Sequence, residues 1–259
     1  MYVEQREKDD YLLDKRLKKV YNIPIMIEQA LTYFEKNPLL FADMKECILK
    51  GEAEIFYASE KGVFLRHIPS NIYMHAGAKD ALCVAKEKIA GTSGWIVSHG
   101  ESSATAVRET YPVLRETVCF QVVYEQNERL PDGEDLFFQK ATEKELAVIV
   151  ENYDKESPEN LKKLQKAGKI ICAFQKSDGA FVGFIGRHPE GSMGLLLIFP
   201  EFRRKGYAYH LEGKLINVIL DEGRLPYAHI IDDNEQSLAL QKKLGFTQAD
   251  EKIVWHKIG

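Results

Sequence analysis

Along the 259 residues the spacing of apolar positions changes character several times, and each change marks an element. From residue 5 to about residue 50 it is helical: Leu13, Leu17 and Val20 line one stretch, a second begins at Pro24, and a third runs from Pro38 to Leu49. Proline at the first turn of a helix loses no hydrogen bond, so both prolines suit helix starts. The period then shortens. Ala53–Ala58, Val63–Ile68 and Asn71–His75 are short, rich in apolar and aromatic residues, and separated by Ser, Gly, Lys and Pro, which predicts a three-stranded meander. A helix over Ala78–Lys88, a strand over Trp95–Ser98, a helix over Ser102–Tyr111 and a strand over Thr117–Tyr124 are expected next.

The polar stretch 126–135, with Pro131 and Gly133, predicts a boundary between a domain of residues 1–128 and one of residues 129–259. After it come a strand over Leu136–Lys140 and a helix from Thr142, with Glu145 three residues on as a capping box. Ser157, Pro158 and Gly168 bracket another helix, and Ser177, Asp178 and Gly179 form a hairpin turn between Lys169–Gln175 and Ala180–Gly186. Met193–Phe199 has no polar side chain and predicts a strand covered on both faces. Pro200 ends it. A helix from Lys205 to Glu222 follows, with Ala208, Leu211, Leu215 and Val218 on its apolar stripe and Gly223 as its stop. The strand Tyr227–Asp232 completes a parallel crossover, right-handed in about 98% of such units. Ligands of such units lie beyond the carboxyl ends of the strands, where Pro200–Gly206 and Asp232–Asn234 fall.

The first half repeats this order. IYMHAGAKDALCVAKEKI and WIVSHGESSATAVRETY read as strand then helix, twice, so the first half is expected to share the fold of the second. Where the second half has FRRKGYA the first has AGAKDA, with one lysine and no arginine, so only the second is expected to hold an anion.

Composition narrows the partners. With 45% hydrophobic and 29% charged residues a packed core is expected, and 35 basic against 39 acidic side chains leave a net charge of −4. That balance offers no general field for nucleic acid or an anionic membrane, so any anion site must be local. The start, MYVEQREKDD, lacks the apolar core of a signal peptide and no window approaches the length of a membrane span, which predicts a cytoplasmic protein. Cys47, Cys83, Cys119 and Cys172 form no CxxC pair, so no metal site or disulfide framework is expected.

The local anion site is Arg203–Ala208. The first amides of a helix have no partner within it, the macrodipole places partial positive charge there, and Gly206 lacks the side chain that would hold a pyrophosphate away. Arg203, Arg204 and Lys205 add three formal charges. The spacing of Pro200, Arg203, Gly206 and Ala208 after a strand resembles the coenzyme A pyrophosphate loop of the GNAT superfamily of N-acyltransferases, R/QxxGxG/A. Asn234, Ser237, Leu240, Lys243, Leu244, Gly245 and Phe246 stand where those relatives carry NxxSxxLxxKLGF. The resemblance covers residues 136–259, and HPEGSMGLL with the overall length is similar to the glycine N-acyltransferase branch and its bacterial relatives.

That resemblance implies a mixed α/β fold, with a GNAT domain in the C-terminal half and a degenerate copy bearing extra helices before it. It implies acetyl-coenzyme A as co-substrate, no metal, and transfer of the acyl group by direct attack of the amine of a small molecule or amino acid. A sensor of acyl-coenzyme A without turnover, or an enzyme acting on a protein amine, is the alternative. A monomer or homodimer without nucleic-acid or membrane partners is expected. The loop amides of Arg203, Arg204, Lys205, Gly206, Tyr207 and Ala208 would take the pyrophosphate, and Ile198 and Phe199 would meet the pantetheine arm through their main chains. Asn234 and Ser237 either contact the coenzyme or cap the helix.

Transfer also needs a base for the ammonium and a donor for the oxyanion. Glu190 is the first choice of base and His188 the second; the alternative for each is an exposed loop residue. Ser192 stands nearest to the glutamate of the glycine N-acyltransferase relatives. Gln241 occupies the place where many GNAT enzymes have a tyrosine that protonates the leaving thiolate, and a glutamine donates hydrogen bonds but is no acid. Tyr207 and Tyr209 are nearby substitutes. His210 and His229 read as packed or exposed side chains, and His75, His99 and Glu101 either line an acceptor pocket or are ordinary loop ends.

Overall fold

The structure, a computed structural model, describes residues 23–83 and 94–259. The helix expected around Leu13–Val20 lies outside the described residues, as does the end of the one expected over Ala78–Lys88. The chain forms two compact units, one running to Glu116 and taking back Val254–Gly259, the other Thr117–Ile253. The division precedes the polar stretch 126–135, which lies inside the second unit.

In the first unit, helical residues 23–34 (α1) and Ala42–Leu49 (α2) precede the expected meander of β1 (Ala53–Ser59), β2 (Gly62–His67) and β3 (Ile72–Gly77). After α3 (Asp80–Cys83), β4 (Gly94–His99) runs parallel to β3 from Tyr73 opposite Ile96 to Ala76 opposite His99, and α4 (Glu101–Thr110) follows. Phe64, Tyr73, Leu82, Ile96 and Val107 are among the core residues. The β3–β4 pairing is held to its end by polar side chains with almost no exposure. His75 Nε2 donates to the Ala78 carbonyl at 3.2 Å and Nδ1 accepts from the Ser103 hydroxyl at 2.6 Å. Burial pushes the His75 imidazole down to about 4, consistent with one ring proton. His99 places Nδ1 3.1 Å from the His75 carbonyl and Nε2 2.9 Å from Asp43. The pocket-lining reading of His75 and His99 is therefore corrected: at 0% and 2% exposure both are enclosed in the unit's interior. Glu101 is exposed and pairs with Arg108 at 2.8 Å.

The second unit holds most of β5 (Val113–Val123), then β6 (Leu136–Lys140), α5 (Glu143–Asn152), α6 (Pro158–Lys166), β7 (Ile170–Gln175), β8 (Phe181–Arg187), β9 (Met193–Ile198), α7 (Tyr207–Asp221), β10 (Tyr227–Ile231), α8 (Glu235–Leu244) and most of β11 (Thr247–Ile258). The strand order is β5-β10-β9-β8-β7-β6. Local signals act as expected. Thr142 caps α5 with Glu145 returning to its amide at 2.9 Å, and Ser157 caps α6 ahead of Pro158. Gly179, at φ +71°, turns the β7–β8 hairpin. One core packs α7 and α8 against Ile171, Val182, Met193, Ala228 and Ile230; another packs α5 and α6 against Ile170, Cys172, Phe184 and Leu195. No helix among the described residues is long and apolar enough to cross a membrane.

β9 is covered on both faces, as expected, but its later residues keep partial access to solvent. A fully apolar run predicts burial on both faces: Met193, Leu195 and Phe199 are buried, and Leu196, Leu197 and Ile198 are partly buried, packed against the cores on the two faces. The cause of the partial access is in the pairing. β10 meets β9 in parallel register only at Ala228 and Met193, so the strands part toward their carboxyl ends. Leu195 sits at φ +58°, a left-handed conformation costly for a branched side chain, and the facing register with β8 breaks between Phe184 and Gly186.

Candidate functional site

The parting of β9 and β10 opens one side of β9 from Leu195 to Ile198, the side on which a narrow chain can run beside unpaired strand backbone. At its end Pro200–Phe202 forms one 3-10 turn, and Arg203 folds back so that its Nε donates to the Ile198 carbonyl at 2.9 Å. Arg204 at φ +62° and Gly206 at φ +82° then curl the main chain into the start of α7. Alternating left-handed residues of this kind gather successive N–H groups into an anion-binding concavity. None of the amides from Arg204 to Ala208 donates to a backbone carbonyl among the described residues, and a Cβ on Gly206 would have nothing within 4 Å. Arg203, Arg204 and Lys205 are exposed around it. Donors without partners, open space and the positive end of a 15-residue helix fit a diphosphate, and the parted strands fit the arm attached to it.

Comparisons with known proteins bear on the fold. Residues 171–256 match the family model described as FR47-like protein. Among solved structures, a Drosophila protein superposes with a TM-score of 0.59 at 15% identity, covering 92% of this chain and 96% of that one. A GCN5-related N-acetyltransferase-like protein of Streptococcus suis gives 0.52 at 14%, covering 90% and 99%. A GCN5-related N-acetyltransferase of Kribbella flavida gives 0.51 at 11%, covering 85% and 94%. No match is found among curated proteins. The fold is the GNAT fold.

Within this GNAT fold the predicted residues separate into groups. Ile198, Phe199 and Arg203–Ala208 come together at the strand end and turn. Asn234 and Ser237 lie at the start of α8, where Asn234 Oδ1 accepts from the Ser237 amide at 3.1 Å, so the capping role is filled. Tyr207 accepts from Gln175 Nε2 at 3.1 Å, and Tyr209 faces Lys243, whose Nζ stands 5.3 Å from its ring centroid.

His188 and Glu190 lie at the other end of β9, in the turn from β8. The His188 ring rests on the central strand: a Cβ added to Gly194, next to the distorted Leu195, would fall 2.4 Å from its Nε2. Glu190 is no exposed loop residue. It is 5% exposed, its carboxylate accepts from the Ser192 hydroxyl, and its carbonyl accepts from the Tyr227 hydroxyl at 2.6 Å. Tyr227 and His229 follow on β10, their rings 5.6 Å apart, on the face turned away from the α7–α8 core that takes Ala228 and Ile230.

Gln241 is buried, and its Nε2 donates to Glu212 Oε1 at 2.5 Å. Glu212, on α7, escaped the sequence reading. Its signal was positional: it stands four residues after Ala208 and three before Leu215, on the apolar stripe, where a carboxylate has no water. Burial pushes its carboxyl up to about 7, offset in part by the Gln241 hydrogen bond.

Proposed function

We propose that the second unit moves an acyl group, acetyl in the simplest case, from coenzyme A to the amine of a small molecule or amino acid. The observation that carries this reading is the continuous path of unpaired main chain: β9 parted from β10, then a turn whose amides face outward, then α7. The coenzyme supplies the activated thioester. The amides of Arg204–Ala208 hold its diphosphate, with Arg203 and Lys205 adding charge at the rim, and main-chain groups of β9 between Leu195 and Ile198 align the arm and face the developing oxyanion.

Of the two candidate bases, His188 is the one whose ring lies on the central strand, and neutral imidazole accepts a proton near neutral pH. Glu190, already holding the Ser192 hydroxyl, is the second choice. His188→Gln is expected to lower kcat/KM by about 10²-fold or more and to remove the ionisation on the acid side of its pH profile. Glu190→Gln is expected to leave that ionisation in place. A His188→Gln profile unchanged in shape, with Glu190→Gln flattened, would return the base to Glu190.

The first unit is not proposed to bind the coenzyme. Its corresponding strands β3 and β4 stay paired to their ends, and His75, His99 and Ser103 fill the place where an arm would enter. One coenzyme per chain is therefore expected in equilibrium dialysis.

Thiol release from acetyl-coenzyme A across a panel of amines and amino acids tests turnover directly. A second reading, a sensor that binds acyl-coenzyme A without turnover, draws on Gln241: it stands in the place of an acid but cannot protonate a leaving thiolate, and its amide is already engaged by Glu212. A thiol has a pKa of about 8.5, so the thiolate departs without an acid far more easily than an amine would, which is why the enzyme reading comes first. Stoichiometric binding with no thiol release for any amine would reverse that order.

A further inference from the structure

The core that α7 and α8 share with β9 and β10 holds a polar pair that bridges the two helices. Glu212 on α7 and Gln241 on α8 are each 3% exposed, and Gln241 Nε2 donates to Glu212 Oε1 at 2.5 Å. The remaining oxygens, Glu212 Oε2 and Gln241 Oε1, are buried with no hydrogen-bond partner among the described residues. Both are acceptors. Unmet acceptors in an apolar core are costly, and a single proton on Glu212 Oε2 supplies a donor where there is none. Burial favours the same proton, raising the carboxyl to about 7 against partial relief from Gln241.

The surroundings leave that proton in place. One turn before Glu212, Tyr209 turns its ring to Lys243 of α8, and Lys242 and Lys243 are themselves exposed. Tyr124, after β5, donates its hydroxyl to the Glu128 carbonyl. β9 has no titratable side chain, and those of β10, Tyr227 and His229, lie on the face turned away from this core.

The pair also stands at a particular depth. α7 follows β9, α8 follows β10, and both cover the same face of the sheet, so a bridge between them lies over the seam where β10 parts from β9. Glu212 is six residues from Gly206, about 9 Å along the helix, and Gln241 is seven from Asn234, about 10 Å. Three residues back along β9 from Ile198, about 10 Å at strand rise, stands the left-handed Leu195. Glu212 and Leu195 are thus level with each other, at the inner end of the path proposed for the coenzyme arm, where the thioester would rest.

We propose that Glu212 is the acid that protonates the departing thiolate, a role that rests on the acyl-transfer reading of this unit. As the tetrahedral adduct collapses, its C–S bond breaks, the electron pair passes to sulfur, and sulfur takes the proton from Glu212 Oε2. The carboxylate left behind keeps the hydrogen bond from Gln241 Nε2, which strengthens with the new charge. The base that took the amine's proton and the Glu212 carboxylate then return to rest by exchanging one proton through water.

Single-turnover thiol release from acetyl-coenzyme A, with an amine that the parent accepts, tests this for the full chain and for Glu212→Gln across pH. The parent rate is expected to fall as pH rises above about 7, where Glu212 loses its proton, and the variant to be about tenfold slower or more at pH 6.5 without that fall. The gap should close toward pH 9. Acetyl-coenzyme A affinity should stay within about twofold of the parent's, because the variant keeps the side chain's size and the turn at Gly206 is untouched. A parent rate with no fall above pH 7 would overturn the proposal and leave acyl transfer standing. So would a variant as fast as the parent, or one slowed equally at every pH, which is the mark of a structural role. No thiol release from the parent with any amine would overturn acyl transfer and this step with it.

Discussion

Aspartate in place of Gly206 is expected to weaken acetyl-coenzyme A binding by at least about 100-fold, and asparagine at the same position by about tenfold or less, as read by isothermal titration. The pair isolates charge from shape. Both side chains are the same size, and both tolerate the left-handed backbone that Gly206 holds at φ +82° better than other residues do. In the free protein neither would clash, because a Cβ there meets nothing within 4 Å. Their effects therefore fall on whatever is brought into that space. Asparagine costs some strain and some room; aspartate adds a negative charge among the amides meant for a diphosphate. At an effective dielectric of about 20 two unit charges 4 Å apart repel by about 4 kcal/mol, ample for a further tenfold beyond the neutral variant. Equal affinities for the two variants, or a parent-like aspartate variant, would mean that no anion sits in the turn, and the acyl-transfer reading would go with it.

How much of this was legible in the sequence depends on whether the decisive physics was local. Caps and turns were: Thr142 with Glu145, Ser157 with Pro158, and Gly179 each act within four residues, and each stands where the sequence placed it. The turn at Arg203–Ala208 was legible for the same reason, since a strand end, a glycine and a helix start are consecutive. Burial across elements was not. The apolar run Met193–Phe199 announced a strand but could not reveal that β10 leaves it after Met193, because the parting depends on the left-handed Leu195 and the broken register opposite. Glu190 read as a loop residue because its neighbours are Pro189 and Gly191; its enclosure comes from Tyr227, 37 positions away. His75 and His99 read as strand-end residues for the same reason, and Asp43 and Ser103 enclose them from other elements. The acid at Glu212 shows the converse: the helical period placed it on the buried stripe, but what it does there required its partner on α8.

That partner makes Glu212 the source of a pH dependence opposite in sign to the common carboxylate case. An acid that folding pairs with a cation has its pKa depressed and stabilises the protein above it. Glu212 has the reverse environment: burial is the main cause of its shift, Gln241 is the only compensation, and no charged group enters. Its carboxyl stands near 7 in the folded chain against an ordinary value of 4.5. Below about 4.5 both folded and unfolded chains carry the proton, and the residue contributes nothing to pH dependence. Between about 4.5 and 7 the unfolded chain releases its proton while the folded chain keeps it, so stability falls as pH rises. Above about 7 the folded chain releases it too and the loss levels off, at on the order of 3 kcal/mol for the gap between the two values. Glu212→Gln removes the titration but keeps an oxygen to accept from Gln241 Nε2, where the parent holds it at 2.5 Å, and adds a donor for the Gln241 oxygen that is buried without a partner. The variant is expected to match the parent at pH 5 and to exceed it by about 3 kcal/mol at pH 8, a rise of roughly 6 to 12 °C in Tm for a chain of this size. Thermal unfolding of both proteins from pH 5 to pH 8 reads the difference directly. Parallel curves, with the variant gaining nothing toward high pH, would show that Glu212 is ionised in the folded protein and that its buried oxygen has found a donor.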